Sequence, residues 1–271
     1  MTNEEASVRG KARTLKSKGR LIPFVGAGVS ANLSLPTAEG LKTVIARELD
    51  WDPDVFRLCG DLPQLAQYFV ALKGSIGPLR SRLDRDFQRP DDQVSKCRSL
   101  MALAEAHFPL IYTTNFDRLI EQAHRIRGIP FRVVSKIDDF YDVAPGHTII
   151  VKFHGSFDDD DSLVLTEENY LNRLGFDSPF DLRLRSDTLG GTLLFIGYSF
   201  RDVNIRYMVH RLRQIRRSSR LLREQPPIAI MTTLAQNDIE EKVWAGQDVL
   251  LEALSPEDMD SVLAEFLRSI A

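Results

Sequence analysis

Hydrophobic positions recur along this chain with two periods. Short crowded runs predict buried strands, and recurrence every three or four residues predicts helices. Residues 4–18 form a charged leading helix stopped by Gly19, and Leu21–Val25 is a short buried strand leading into Gly26-Ala27-Gly28. Leu41, Val44, Ile45 and Leu49 mark a helix over 38–49. Residues 54–107 contain no strand pattern. Leu65, Tyr68, Phe69 and Leu72 recur at helical spacing, as do Leu79, Leu83 and Phe87, and again Leu100, Leu103, Ala104 and His107.

The texture changes at Pro109. Strands are predicted at 110–114, 131–134, 148–153, 193–196, 227–231 and 249–251, with a further short one at Leu163–Leu165. Between them lie helices at 117–127, 202–223 and 235–246, and a last helix capped by Ser255 and Asp258, with Leu263, Phe266, Leu267 and Ile270 facing the core. Strands alternating with helices imply an α/β fold, a Rossmann-like doubly wound and mostly parallel sheet. The helical stretch over 38–108 reads as an insertion within a single domain spanning 1–271.

Composition removes several function classes. With 271 residues and a net charge of −3, nothing in the balance demands nucleic acid or an anionic membrane. No apolar run reaches the roughly 20 residues that cross a bilayer. The charged N-terminus lacks the apolar core of a signal peptide, which implies a cytoplasmic protein. Two cysteines, Cys59 and Cys97, leave a Cys-based zinc site impossible within one chain. Asp158–Asp161 reads as a solvated hairpin tip, and Arg80, Arg82, Arg85 and Arg89 as a solvated helix face. In the 206–223 stretch, seven arginines alternate with Tyr207, Met208, Leu212, Ile215, Leu221 and Leu222. That mixture favours a helix packed on the core or on another subunit over direct nucleic-acid binding.

The candidate chemistry sits where strands end. Gly26-Ala27-Gly28-Val29-Ser30-Ala31 has the G-x-G-x-x-A spacing of a dinucleotide turn, in which glycines admit close backbone approach and a helix N-terminus faces the pyrophosphate. Later strands end in Thr113-Thr114-Asn115-Phe116-Asp117, in Lys152-Phe153-His154-Gly155-Ser156, and in Gly197-Tyr198-Ser199-Phe200-Arg201-Asp202. Each cluster also has a structural reading. Asn115 or Asp117 caps the next helix, His154 is a hydrogen-bonded core histidine, and Gly197 is a turn glycine. Four such clusters at equivalent places in one chain favour a ligand site.

GAGVS, TTNFD, KFHGS and GYSFRD, in that order, resemble the motif series of the sirtuins, and most closely the bacterial sirtuin-like domains that hydrolyse NAD in anti-phage defence. The resemblance spans roughly residues 20–250. It implies that Gly26, Ala27, Gly28 and Ser30 hold the NAD pyrophosphate, that Asn115 lies beside the nicotinamide ribose, and that Asp117 helps hold the nicotinamide side. It further implies that His154 is the catalytic histidine and that Gly197 and Ser199 contact the adenosine half. NAD would be consumed as substrate, with no zinc. A neutral imidazole takes a proton from a ribose hydroxyl or water, and an amide orients the acceptor. Deacylating sirtuins differ: they carry a four-cysteine zinc module, Gln where this chain has Thr114, and a G-I-P-D-F-R segment where this chain reads Ser34-Leu35-Pro36-Thr37-Ala38-Glu39. These departures favour water as acceptor. Met231-Thr232-Thr233 also lacks the Asn often found after that strand.

Three alternatives stay open at the level of sequence: a nicotinamide dehydrogenase, a protein deacylase, and a sensor that binds NAD or ADP-ribose without turnover. The first wants an acidic residue at the end of the second strand; Glu48 has the spacing but falls in a helical pattern. An ungated NAD hydrolase would be toxic to its own cell, so control by homo-oligomer assembly or a partner is expected. The resemblance implies a HerA-type hexameric ATPase as that partner.

Overall fold

A computed structural model describes residues 7–141, 143–198, 203–217, 226–234 and 238–271. Ser199 and the 218–223 end of the expected basic helix lie outside the described residues. The elements are α1 (Val8–Ser17), β1 (Leu21–Val25), α2 (Ala27–Ala31), α3 (Ala38–Glu48), α4 (Pro53–Phe56), α5 (Leu62–Lys73), α6 (Gly77–Asp86), α7 (Asp91–Val94) and α8 (Arg98–Glu105). Then follow β2 (Leu110–Thr113), α9 (Leu119–Ile126), β3 (Phe131–Val134), β4 (Thr148–Lys152), α10 (Glu167–Asn172), α11 (Pro179–Gly190), β5 (Thr192–Ile196), α12 (Val203–Arg217), β6 (Ala229–Thr233), α13 (Asp238–Ala245), β7 (Val249–Ala253) and α14 (Met259–Ser269). None of the described helices is long and apolar enough to cross a membrane.

Among the described residues seven strands form one sheet in the order β3-β4-β2-β1-β5-β6-β7, and every pairing is parallel. β1 is central because both of its faces are apolar. Its side chains alternate, Leu21 and Val25 feeding one core and Ile22 and Phe24 the other. It pairs with β5 over Leu21–Val25 but with β2 only from Phe24, just past Pro23, which has no N–H to give. The chain lays β2 and β4 on one side of β1 and then crosses to β5 on the other. The strand order therefore reverses at β1, and the crevice above its carboxyl end is the place where such sheets bind ligands.

The structure corrects three expectations. Leu163–Leu165 is not a strand. Leu163 and Leu165 plug the core, and the Val164 N–H donates to the carbonyl of His154 at 2.9 Å instead of joining the sheet. Asp158–Asp161 is consequently not a hairpin tip. It leads into a 3-10 turn at Asp160–Ser162, pinned by Arg118 on Asp158 (2.6 Å) and Arg80 on Asp160 (2.6 Å). The arginine run is not simply a solvated face either. Besides Arg80, Arg82 bridges Glu48 and Asp86 at 3.0 and 2.6 Å, and Arg89 donates to the carbonyls of Leu33 and Ser34 at 2.9 and 3.2 Å. In α12, Met208, Val209 and Leu212 are buried in the core, while Arg216 straps the carbonyls of Thr188 and Pro226 at 2.8 and 2.9 Å.

Candidate active site at the carboxyl ends of β1, β2, β4 and β5

The turn after β1 is built by interlocking glycines. Gly26 has φ −112° and ψ 178°, an extended conformation open to any residue. Space is what demands glycine: a Cβ there would lie 2.8 Å from the Gly197 carbonyl and 2.9 Å from the Tyr198 ring. A Cβ on Gly28 would lie 2.8 Å from Gly197 Cα, and the Gly28 N–H donates to the Gly197 carbonyl at 3.0 Å. Gly197 itself has φ +74° and faces Val29 N, so both conformation and space require glycine. The close backbone approach expected of this turn is thus made between the β1 and β5 loops. Ala27 and Gly28 remain accessible on its outer side. Thr114 bonds the Tyr198 hydroxyl at 2.7 Å, and Tyr198 donates to the Val25 carbonyl at 3.2 Å, tying the β2 end to both.

Asn115 is held by a buried relay. Its Nδ2 donates to the Gly26 carbonyl and to Ser30 Oγ, both at 3.1 Å. A carbonyl only accepts, so the amino end of the carboxamide must point there. Ser30 Oγ donates onward to Asp117 Oδ2 at 2.6 Å, while Asp117 Oδ1 accepts the Leu119 N–H at 3.0 Å and starts α9. With both amino hydrogens used, Asn115 Oδ1 is left buried without a hydrogen-bond partner among the described residues. A buried lone acceptor is costly and calls for a donor from beyond the described residues. Asn115, Ser30 and Asp117 are thus one unit, with Ser30 and Asp117 engaged in fixing the amide.

His154 leaves the neighbouring strand. Thr113 of β2 pairs with Lys152 of β4, and the Phe153 N–H extends the ladder to the Thr113 carbonyl at 2.7 Å. Asn115 and His154 therefore each stand two residues past a matched pair, on adjacent strands. The imidazole stacks on Phe153 (6.0 Å between centroids) and meets Tyr170 edge-on (5.5 Å). Burial and, next, the nearby Arg173 guanidinium push its pKa down to about 3, so the ring is neutral at pH 7 even though part of its surface stays accessible. No hydrogen bond to either ring nitrogen is found among the described residues. Arg173 is fixed by Asp181 and the Phe153 carbonyl, each at 2.6 Å.

The structure thus joins Gly26, Ser30, Asn115 and Asp117 by hydrogen bonds, sets Gly197 against Gly26 and Gly28, and brings His154 to the adjacent strand end. Sequence reasoning passed over Lys152, Glu121 and Arg173. Lys152 carried a signal: a cation between Val151 and Phe153 in a buried strand is rarely idle. A cavity of about 300 Å³ opens beside Asp117, lined by Phe87, Leu119, Glu121, Phe131 and Phe157 among others, but neither Asn115 nor His154 lines it. The Asn115 amide oxygen and the His154 imidazole, for which no hydrogen-bond partner is found among the described residues, lie instead at the strand ends.

The chain is similar in sequence to several known proteins. The chain is 32% identical over 216 residues to NAD(+) hydrolase ThsA of Cytobacillus dafuensis, covering 78% of this chain and 42% of that protein. It is 28% identical over 235 residues to NAD(+) hydrolase ThsA of Enterococcus faecium, covering 85% of this chain and 47% of that one. It is 29% identical over 209 residues to Defense-associated sirtuin 2 of Bacillus subtilis, covering 74% and 20% respectively. The chain therefore spans less than half the length of each. Residues 109–250, from the lead-in of β2 into β7, match the SIR2-like domain. With that match over half of its length, the chain belongs to the SIR2-like family.

Proposed function

We propose that this chain is an NAD+ hydrolase domain that releases nicotinamide, leaves ADP-ribose, and serves as a cytoplasmic NAD-depleting effector of anti-phage defence. The observation that carries the reading is that the Asn115 amide oxygen and the His154 imidazole stand on adjacent strand ends, neither with a hydrogen-bond partner among the described residues. Breaking the nicotinamide–ribose bond places positive charge on the sugar and needs an acceptor for one proton. Asn115 Oδ1 orients a ribose hydroxyl or water by accepting its hydrogen bond, and His154 removes the proton. Gly26, Ala27, Gly28, Gly197 and Ser199 remain the proposed dinucleotide contacts, with Ser30 and Asp117 acting through Asn115. The names of the related proteins support the same reaction. We further read residues 38–108 as a helical insertion in one domain. Activity is gated by homo-oligomer assembly or by a partner such as a HerA-type ATPase, because an unrestrained hydrolase would drain its own cell.

The test is nicotinamide release from NAD+ by the concentrated full chain, followed by NMR, beside Asn115→Ala and His154→Ala. Each substitution is expected to lower turnover by about 100-fold or more. Activity surviving in both sinks the residue assignment. Binding of NAD+ without release, with or without the partner, replaces the hydrolase by a sensor. Dependence on an acylated peptide replaces it by a deacylase.

A further inference from the structure

Lys152 closes β4, is 1% exposed, and belongs to none of the roles assigned above. A lone buried ammonium is prohibitively costly, so its three N–H donors must all be met. Three oxygens meet them: Glu121 Oε1 at 2.8 Å, the Asn115 carbonyl at 3.3 Å, and the Asp117 carbonyl. Two of the three are main-chain oxygens of the very loop that carries the amide.

The position explains why a lysine is needed. Thr113 is the last β2 residue in register with β4, so the carbonyls of Asn115 and Asp117 fall beyond the ladder, and α9 begins only at Leu119. Buried carbonyls in that gap need a donor from elsewhere. Lys152 reaches from the end of the paired strand and supplies it. The loop is then gripped from two sides. Its side chains are tied to the β1 turn through Gly26 and Ser30, and its carbonyls are tied to β4. Glu121 cancels the lysine charge, so the grip adds no net positive charge beneath a centre where the sugar turns cationic. Lys152 also lies two residues before His154, so one side chain couples the two strand ends.

We propose that Lys152, neutralised by Glu121, is a positioning residue that fixes the Asn115 carboxamide by clamping its backbone. This rests on the reading of Asn115 as the group that orients the reacting hydroxyl. The measurement is the Asn115 side-chain NH2 resonance pair in 15N-labelled full-length protein, assigned by its loss in Asn115→Ala, together with nicotinamide release. Lys152→Met alone strands the Glu121 charge and is prone to misfold. The decisive variant is Lys152→Met with Glu121→Met, since replacing both members of a buried pair by apolar groups is often tolerated. In it the Asn115 pair is expected to shift and to exchange roughly ten-fold faster, and kcat to fall on the order of 100-fold with KM little changed, while amides of β1 and β5 stay put.

A folded double variant whose Asn115 pair keeps its parental shift and exchange rate overturns the proposal, even if its Tm is lower. Full turnover by Asn115→Ala would instead remove the catalytic reading and leave the resonance pair to judge the lysine.

Discussion

Gly155→Ala tests how the His154 corner is built. Gly155 has φ +84°, and Gly146 has φ +82°, so adding a methyl costs each the same left-handed penalty, about 1–2 kcal/mol. Their surroundings differ completely. Nothing lies within 4 Å of a Cβ on Gly146, whereas one on Gly155 would stand 2.1 Å from the Ser162 carbonyl oxygen and 2.4 Å from its carbon. No rotamer relieves a clash with main chain. Ser162 would have to move by more than 1 Å, against its N–H on the Asp159 carbonyl (3.1 Å), its hydroxyl on the same carbonyl (2.7 Å), and the Ser156 N–H on that hydroxyl (3.0 Å). Losing two or three such bonds at about 1 kcal/mol each brings Gly155→Ala to about 3–5 kcal/mol. At about 2–4 °C per kcal/mol for a chain near this size, its Tm should fall roughly 5–10 °C further than that of Gly146→Ala. Thermal denaturation of the two variants side by side is the assay. Equal losses would refute the steric argument.

Two further predictions concern the relay and the imidazole. Ser30→Ala removes the donor to Asp117 and one of the two acceptors of Asn115 Nδ2, so it should cost about 1–2 kcal/mol in urea denaturation. Nicotinamide release should drop about ten-fold or more, because the amide keeps only the Gly26 carbonyl; unchanged release would show that the relay does not orient Asn115. His154 is held near 3 in the folded chain against 6.5 in the unfolded one. Between those values the unfolded state binds the extra proton. The contribution is therefore fully present above pH 6.5 and is lost as pH falls toward 3, with a slope of at most about 1.4 kcal/mol per pH unit. His154→Asn should flatten the stability profile between pH 6 and 4, though not abolish its slope, since burial lowers the His124 pKa as well. An unchanged slope would mean that His154 is solvated and titrates normally.

Local signals were legible wherever the physics is local. The five buried residues of β1 and the buried run of β5 read as strands because no face of a central parallel strand meets water. The Asp258 cap and the inward Leu263, Phe266 and Leu267 of α14 were likewise written in the chain, since a cap and its first turn are neighbours in sequence. Leu163–Leu165 misled for the converse reason. Three apolar residues look alike whether they pair or plug a core, and only the absence of a partner strand decides.

The site divides in the same way. Sequence alone determined which strands end in the motif residues, the order of those ends, and the residue types that mark a SIR2-like chain. Tertiary structure decided which of those residues meet. Gly26 is glycine because another loop occupies the space of its Cβ, not because its own backbone turns sharply. The amino end of Asn115 is fixed by Gly26 and Ser30, which lie 89 and 85 residues earlier, so the direction in which its oxygen points cannot be read from TTNFD. α8 shows the same limit, for it has no side-chain cap from its own flank. Asp260, on α14, accepts from the N–H groups of Arg98 and Ser99 at 2.8 Å each. Periodicity and turn chemistry act over a few residues and survive in the sequence. Hydrogen bonds between strand ends need a donor and an acceptor that meet only once the sheet has brought its crossovers together.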